Sequence, residues 1–428
     1  MLNDHGPGKG RADRTEFDMT ASQPAKTPTS AVMKTYGRAD LSFVRGDGCW
    51  LITDDGDRYL DCASGIAVNT LGHSHPRLIE ALRDQAGKLW HTSNLYRIPG
   101  QERVAEKLVS LTGLDQVYFC NSGAEANESA VKMARRAAYE NGQPDRTTIL
   151  CATGSFHGRT LGMLAATDKA ANRTGFGPMP DGFEHVPFGN LNELRAALGA
   201  HVAAVMIEPV QGEGGARDAQ DDYLRGVREA ADEFGTLVIA DEVQSGIGRT
   251  GTLFAYQTSG IKPDIIAMAK GLGGGFPVGA VIASEAVGNA MTPGTHGSTF
   301  AGNPLAMAVA EVILDEVTAP GFLEDVRRRA DVMRGLLADV AARYPDAIAE
   351  IRGRGFLCGV RLADSVPAGD LVAALRELKI LTVPAGENTV RFLPPLIICE
   401  DEIGLAVKSF DTALAGMTSQ QPPEQDRL

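Results

Sequence analysis

The stretch "DIIAMAKGLGGG", Asp264 to Gly275, sets an apolar, strand-like run directly against a lysine and then a cluster of glycines. A lysine buried without a partner is costly. Lys270 therefore either marks the exit of a strand into solvent, or its amine is wanted inside. From Gln116 onward the chain repeats this kind of apolar run: "VYFC", "TTILCAT", "AAVMIEPV", "TLVIADEV" and "GAVIAS". Between the runs lie stretches with apolar residues near the helical period, such as "AEANESAVKMARRAAYE" and "DYLRGVREAADEFG". Strands alternating with helices predict βαβ units and a largely parallel sheet.

The last hundred or so residues change character. A long charged helix from about Gly321, strands within "GRGFLCGVRL" and "TVRFLPPLII", and the helix "DEIGLAVKSFDTALAG" predict a smaller α+β unit. The segment "LSFVRGDGCWLITDDGDRYLDC" reads as β-ribbon turning at Asp47-Gly48 and Asp55-Gly56, and is expected to complete that unit. The division expected is an extension over 1–30, an N-terminal part of the small domain over 31–65, a large domain over 66–315, the C-terminal part of the small domain over 316–418, and a polar tail over 419–428. The first thirty residues are polar and rich in Gly, Pro and Ser and read as disordered. Met19 and Met33 leave open a later start.

The 428 residues carry 41 basic and 54 acidic side chains, a formal charge of −13, without a dense Lys/Arg stripe. Nucleic acid and anionic membrane are thereby disfavoured as partners. Apolar runs fall short of the roughly 18 to 20 residues of a spanning helix. Six cysteines lie singly, mostly in apolar settings, and read as reduced core residues of a cytoplasmic protein. His73 and His75 have a spacing that could hold a metal, but no third ligand lies nearby and none is expected.

In a parallel sheet ligands gather at the C-terminal strand ends. Three of these ends carry chemistry here: Asp241, Glu242, Val243 and Gln244 after "TLVIA", Lys270 after "DIIAMA", and Asn121, Ser122, Gly123 and Ala124 after "VYFC". Each has a plain reading. A strand-end Asp is commonly a cap or a surface charge, and Ser122 with Glu125 is a capping box. A helix start is also an anion site, so capping and phosphate binding are compatible at Ser122. "GLGGGFPVG" lacks the spacing of a dinucleotide fingerprint. Pyridoxal 5'-phosphate requires a lysine for its aldehyde, a carboxylate for its ring nitrogen and a phosphate cradle, and these strand ends supply all three.

The chain resembles the class III, or ω-type, aminotransferases, from about Tyr36 to about Leu414. The motifs that carry the resemblance are "GIAVNTLGHSHP", "FCNSGAEANE", "FHGRTLG", "IEPVQGEGG", "DEVQSGIGRTG", "AKGLGGGFPVGA", "GTHGSTFAGNPLA" and "VRFLPPLII". It implies the type I pyridoxal-phosphate fold, with a mostly parallel seven-stranded sheet flanked by helices and a smaller α+β domain. It makes Lys270 the cofactor lysine and proton carrier and Asp241 the partner of the ring nitrogen. Gln244 would lie by the ring hydroxyl and Phe156 would stack on the ring. His157 would support the pocket. Ser122, Gly123 and Ala124 would bind the phosphate, together with Thr299 from the neighbouring subunit, which implies a homodimer with shared active sites.

For substrates, the resemblance implies that Arg159, with Ser298 from across the interface, holds the α-carboxylate of the amine donor. Arg391 would hold that of glutamate or 2-oxoglutarate, with Glu213 pairing with Arg391 when the donor is bound. Tyr36 matches a substrate-side tyrosine. Among donors, N2-acetyl-L-ornithine is favoured by the small residues Ser64 and Gly65. Succinylornithine, ornithine, 4-aminobutyrate and N-succinyl-diaminopimelate remain open, as do a same-fold aminomutase or racemase and a non-catalytic binding protein.

Overall fold

The computed structural model describes residues 31–418; the expected extension over 1–30 and tail over 419–428 lie outside the described residues. Residues 31–42 form a unit of their own, in which Tyr36 is exposed and the Arg38 guanidinium carbon lies 5.5 Å from its ring centroid. The rest belongs to one unit.

At the centre of that unit stands a seven-stranded sheet in the order Gln116–Cys120, Gly279–Ala283, Ile265–Met268, Leu237–Asp241, Val202–Ile207, Thr148–Ala152, Phe183–Val186. Gly279–Ala283 alone runs against its neighbours. Val202–Ile207, Ile265–Met268 and Thr148–Ala152 are buried throughout, which is why they read as continuous apolar runs instead of alternating ones. Helix Gly123–Glu140 covers the sheet with a stripe of Ala126, Ala130, Ala134 and Ala137, whose small side chains let it pack closely. Helix Asp221–Phe234 buries Leu224, Val227, Ala230 and Ala231 against the same sheet's other strands.

The ribbon Arg45–Asp47, Trp50–Ile52 and Arg58–Asp61 turns where expected, and its last strand pairs in parallel with Ile380–Leu381 from the C-terminal region. A second antiparallel sheet contains Ile348–Arg354, Leu357–Leu362, Thr389–Phe392 and Val383–Ala385. It packs with helices Phe322–Arg343 and Glu400–Thr418 around Phe356, Phe392 and Phe410. Two sequence expectations are shortened. "TVRFLPPLII" is strand only as far as Phe392, because Pro394 and Pro395 have no N–H to give a ladder. The strand before Lys270 stops at Met268, and Lys270 opens a 3-10 turn at φ 39°, in the left-handed region.

Candidate active site

The C-terminal ends of the codirectional strands lie along one edge of the sheet, and the loops leaving them build the site. Asp241 ends its strand almost fully buried. Its Oδ2 accepts from Asn127 Nδ2 at 2.7 Å and lies 2.7 Å from His157 Nδ1, while its Oδ1 accepts from the Val243 N–H at 3.0 Å. Burial disfavours the His157 cation, but Asp241 and Cys151 together outweigh it and hold the imidazole pKa well above its ordinary value. Asp241 is thus held in place by three donors. Asn127 also donates to the His157 carbonyl at 2.8 Å, which locks the loop after Thr148–Ala152 to the first turns of helix Gly123–Glu140.

That helix opens as the capping box predicts: Ser122 Oγ accepts from the Glu125 N–H at 3.2 Å. The Glu125 carboxylate reaches back one residue further, to the Asn121 N–H at 2.5 Å and its side-chain amide at 2.9 Å. The N–H groups of Gly123 and Ala124 are left at the helix start, where the dipole favours an anion. A Cβ on Gly123 would lie 2.5 Å from Val243 Cγ1, so the helix start and the loop after Asp241 meet too closely for any side chain.

Lys270 is half-buried, and its side-chain amine makes no hydrogen bond or ion pair among the described residues. Burial lowers its pKa; Glu213, Asp241 and Glu208 oppose that, and Arg391 adds to it. Phe156 is half-buried and carries the exposed Arg159 guanidinium 5.4 Å above its ring centroid. Arg391 sits inside its strand at 1% exposure. Its Nη2 donates to Glu213 Oε1 at 2.8 Å and its Nη1 to Gln244 Oε1 at 2.8 Å. Burial tends to raise the Glu213 carboxyl, yet Arg391 and then Lys270 hold it below the usual carboxylate range. Glu242 is not free to meet a ligand: its carboxylate accepts from Ser245 Oγ at 2.6 Å and the Tyr256 N–H at 2.8 Å, and burial pushes it up to about 7.

Thr299 is exposed beside a groove of about 710 Å³ that is also lined by His91, Asn94, Tyr118, His296 and Ser298. Ser298 Oγ accepts from Asn121 Nδ2 at 2.9 Å, and His296 is held between Ser129 Oγ at 2.8 Å and Lys132 Nζ at 2.7 Å. The Thr299 loop is therefore tied to the phosphate-cradle helix of its own chain. His73, one of the two histidines with metal-like spacing, is paired with Asp61 at 2.9 Å.

Sequence reading passed over Asn127, Glu208 and His296. Asn127 carries a signal, a polar residue on the apolar stripe of its helix. Glu208 follows Ile207 directly and accepts from the Phe156 N–H at 3.1 Å, so it anchors the loop that presents the aromatic ring. Its place inside "IEPVQ" gave no reason to separate it from the turn.

The residues fit pyridoxal phosphate on their own chemistry. A fixed buried carboxylate suits a protonated ring nitrogen, a side-chain-free helix start suits a phosphate, and an unpaired amine of lowered pKa suits an aldehyde. The model of the aminotransferase class-III family matches residues 32–414. The acetylornithine aminotransferase of Rhodobacter capsulatus is 51% identical over 391 residues, 91% of this chain and 99% of the relative. That of Brucella melitensis is 51% identical over 92% of this chain and 98% of its own. Among solved structures, the ornithine aminotransferase of Toxoplasma gondii superposes with a TM-score of 0.88 at 33% identity, over 91% of this chain and 94% of that one. The N-acetylornithine aminotransferase of Stenotrophomonas maltophilia does so with 0.79 at 36% identity, over 90% and 98%. With a strand-end aspartate, a strand-end lysine and a glycine-led helix start gathered at one sheet edge, and these likenesses running nearly end to end, the chain belongs to the class-III aminotransferases, enzymes dependent on pyridoxal phosphate.

Proposed function

We propose that the protein transfers the side-chain amine of N2-acetyl-L-ornithine to 2-oxoglutarate, giving N-acetyl-L-glutamate 5-semialdehyde and L-glutamate, a step of arginine biosynthesis. The observation that carries this reading is the buried Arg391 capped by Glu213 beside Lys270. A pocket that serves two substrates of different shape needs a carboxylate holder that can be closed for one and opened for the other. The acetylornithine name borne by relatives of about half identity and nearly full length supports the choice of donor.

Bound at this edge, pyridoxal phosphate supplies the electron sink that makes the amine-bearing carbon acidic. Lys270 Nζ would be the attachment point. Burial disfavours its cation, so with the cofactor bound Lys270 would be the group placed to take the proton from that carbon and return it on the cofactor side. Asp241, held by Asn127, His157 and the Val243 N–H, would keep the ring nitrogen protonated. Phe156, on the loop that Glu208 anchors, would hold the ring, and Ser122, Gly123 and Ala124 would hold the phosphate. Arg159, exposed and able to form a bidentate fork, takes the donor's α-carboxylate.

We assign Thr299 and Ser298 to the active site of a second copy. Trp90, Leu95, Tyr96 and Phe300 are large, apolar and exposed in the segments near that groove, as expected for a face that a homodimer covers. The cytoplasmic location is part of the same proposal, supported by six free thiols of which five are buried. The large and small parts of the enzyme follow the division at residues 66 and 315. A second donor, ornithine, is favoured by the likeness to the Toxoplasma gondii fold; the small Ser64 and Gly65 argue for an acylated one.

The test is the full reaction on purified holoenzyme. With N2-acetylornithine and 2-oxoglutarate both present, glutamate forms with parallel double-reciprocal lines. No glutamate, or lines that intersect, contradicts the proposal.

A further inference from the structure

Gln244 holds one side of the arginine that the keto acid must meet, and Glu213 holds the other. Its Oε1 accepts from Arg391 Nη1 at 2.8 Å, while Arg391 Nη2 donates to Glu213 Oε1 at 2.8 Å and to the Pro384 carbonyl at 3.3 Å. Arg391 Nε has no hydrogen-bond partner among the described residues. A guanidinium this buried depends on its few acceptors to keep one orientation. If Glu213 turns away, Gln244 and the Pro384 carbonyl are the acceptors that remain. A neutral amide oxygen can hold the guanidinium plane without cancelling its charge, which leaves the charge available to an incoming carboxylate.

The amide is also packed against the element that carries Glu213. A Cβ on Gly212 would collide with Oε1, Cδ and Nε2 of Gln244 together. Gly212 adjoins Glu213 at the turn between Val210–Gln211 and Arg217–Asp218, so the Gln244 amide lies flat on the backbone of that turn. Gln244 itself is buried, three residues beyond Asp241. One side chain thus bridges the cofactor-side loop, the Glu213 turn and Arg391.

We propose that Gln244 is the fixed half of the Arg391 gate: a positioning residue that holds the guanidinium aimed at the α-carboxylate of the keto acid when Glu213 withdraws, and so sets the preference for a 2-oxo acid acceptor. The inference rests on the reading of Arg391 as the keto-acid holder. It gives Gln244 a role beyond the cofactor ring, and the two roles separate experimentally, because a cofactor role acts on both half-reactions and a gate role on one.

The experiment measures the two half-reactions of holoenzyme separately: donor added without keto acid, and 2-oxoglutarate added to the aminated enzyme. Gln244→Leu keeps the volume and removes the acceptor. Loss of a hydrogen bond to a charged group is worth roughly tenfold or more, so the ratio of keto-acid to donor half-reaction falls by at least that factor, through KM for 2-oxoglutarate. Gly212→Ala leaves every polar group in place and displaces the amide, and it shifts the ratio in the same direction. Gln244→Glu adds a permanent carboxylate to the guanidinium and lowers the ratio further. An unchanged ratio in Gln244→Leu, with both half-reactions reduced alike and the cofactor absorption altered, overturns the proposal. Arg391→Ala serves as the separate control: if it leaves KM for 2-oxoglutarate unchanged, the underlying reading of Arg391 fails, whatever Gln244 does.

Discussion

Glu208 and Asp241 leave adjacent parallel strands side by side, since Ile207 pairs with Ala240 in the register and each carboxylate is the next residue. Two buried carboxyls so placed cannot both ionise cheaply. Asp241 has the cation of His157 and the amide of Asn127; Glu208 has the Phe156 N–H. Burial first, with Asp241 adding to it, pushes Glu208 up to about 8 against the opposing influence of His157, the Phe156 N–H and Lys270.

The sign of the pH dependence follows. A carboxyl whose pKa is higher in the folded state binds its proton more tightly there, so its contribution to stability is full below its ordinary pKa of 4.5 and is lost as pH rises through about 8. Glu208→Gln removes that dependence. Denaturant unfolding of the apoenzyme at intervals from pH 5 to 9 should show the variant gaining on the parent by on the order of 3 kcal/mol across the range. A constant difference between the two proteins would mean that Glu208 is ionised throughout.

His157 supports Asp241 by charge as well as by position. His157→Ala leaves a buried carboxylate with one amide and one N–H and should destabilise the apoenzyme by about 3–5 kcal/mol. Urea midpoints of the two proteins check this, and a loss below 1 kcal/mol would show that Asp241 does not depend on the imidazolium.

The close approach at the helix start makes Gly123 a sharp probe of the phosphate cradle. Gly123→Ala drives a methyl to 2.5 Å from Val243 Cγ1, so the helix start and the loop after Asp241 must part. Cofactor affinity, followed by absorbance titration of the apoenzyme, should weaken at least roughly tenfold while the unfolding free energy falls by about 1–3 kcal/mol. Unchanged affinity would place the phosphate elsewhere.

A fourth prediction concerns a segment whose backbone is strained. Ser64, Gly65, Ile66 and Ala67 all have left-handed φ, at 48°, 61°, 67° and 60°. Such a run costs roughly 1–2 kcal/mol for each residue other than glycine. Asp61 holds it: Oδ1 accepts from the Ala63 and Ser64 N–H groups at 3.0 and 2.8 Å, and Oδ2 pairs with His73. Asp61→Ala should release the turn, raise proteolytic cleavage near Ile66 and increase KM for the amine donor. Equal protease resistance in the two proteins would show that the turn is held by packing alone.

What was legible in the sequence was legible for physical reasons. Fully buried parallel strands must be apolar throughout, so their run lengths and their polar ends at Asp241, Lys270 and Ser122 stand out without any structure. The β-ribbon announced itself through Asp-Gly turns. The left-handed turn at Ser64 to Ala67 did not, because "SGIA" has one glycine where the backbone takes four unusual conformations, and what fixes it is Asp61, held in turn by His73 twelve residues on. Nor was the link of Gln244 to Arg391, residues 147 apart. Sequence spacing reports neighbours within an element, whereas these contacts arise where separate loops converge. The family resemblance supplied the pairing of Glu213 with Arg391 but not the amide on its other side.

The identity of the amine donor is read most directly from the first half-reaction. Purified holoenzyme is mixed, without keto acid, with N2-acetylornithine, ornithine, 4-aminobutyrate or N-succinyl-diaminopimelate, and the visible absorption of the lysine-bound cofactor is followed in each. The account predicts the fastest bleaching with N2-acetylornithine. Faster bleaching with any of the other three, or none with N2-acetylornithine, would contradict it.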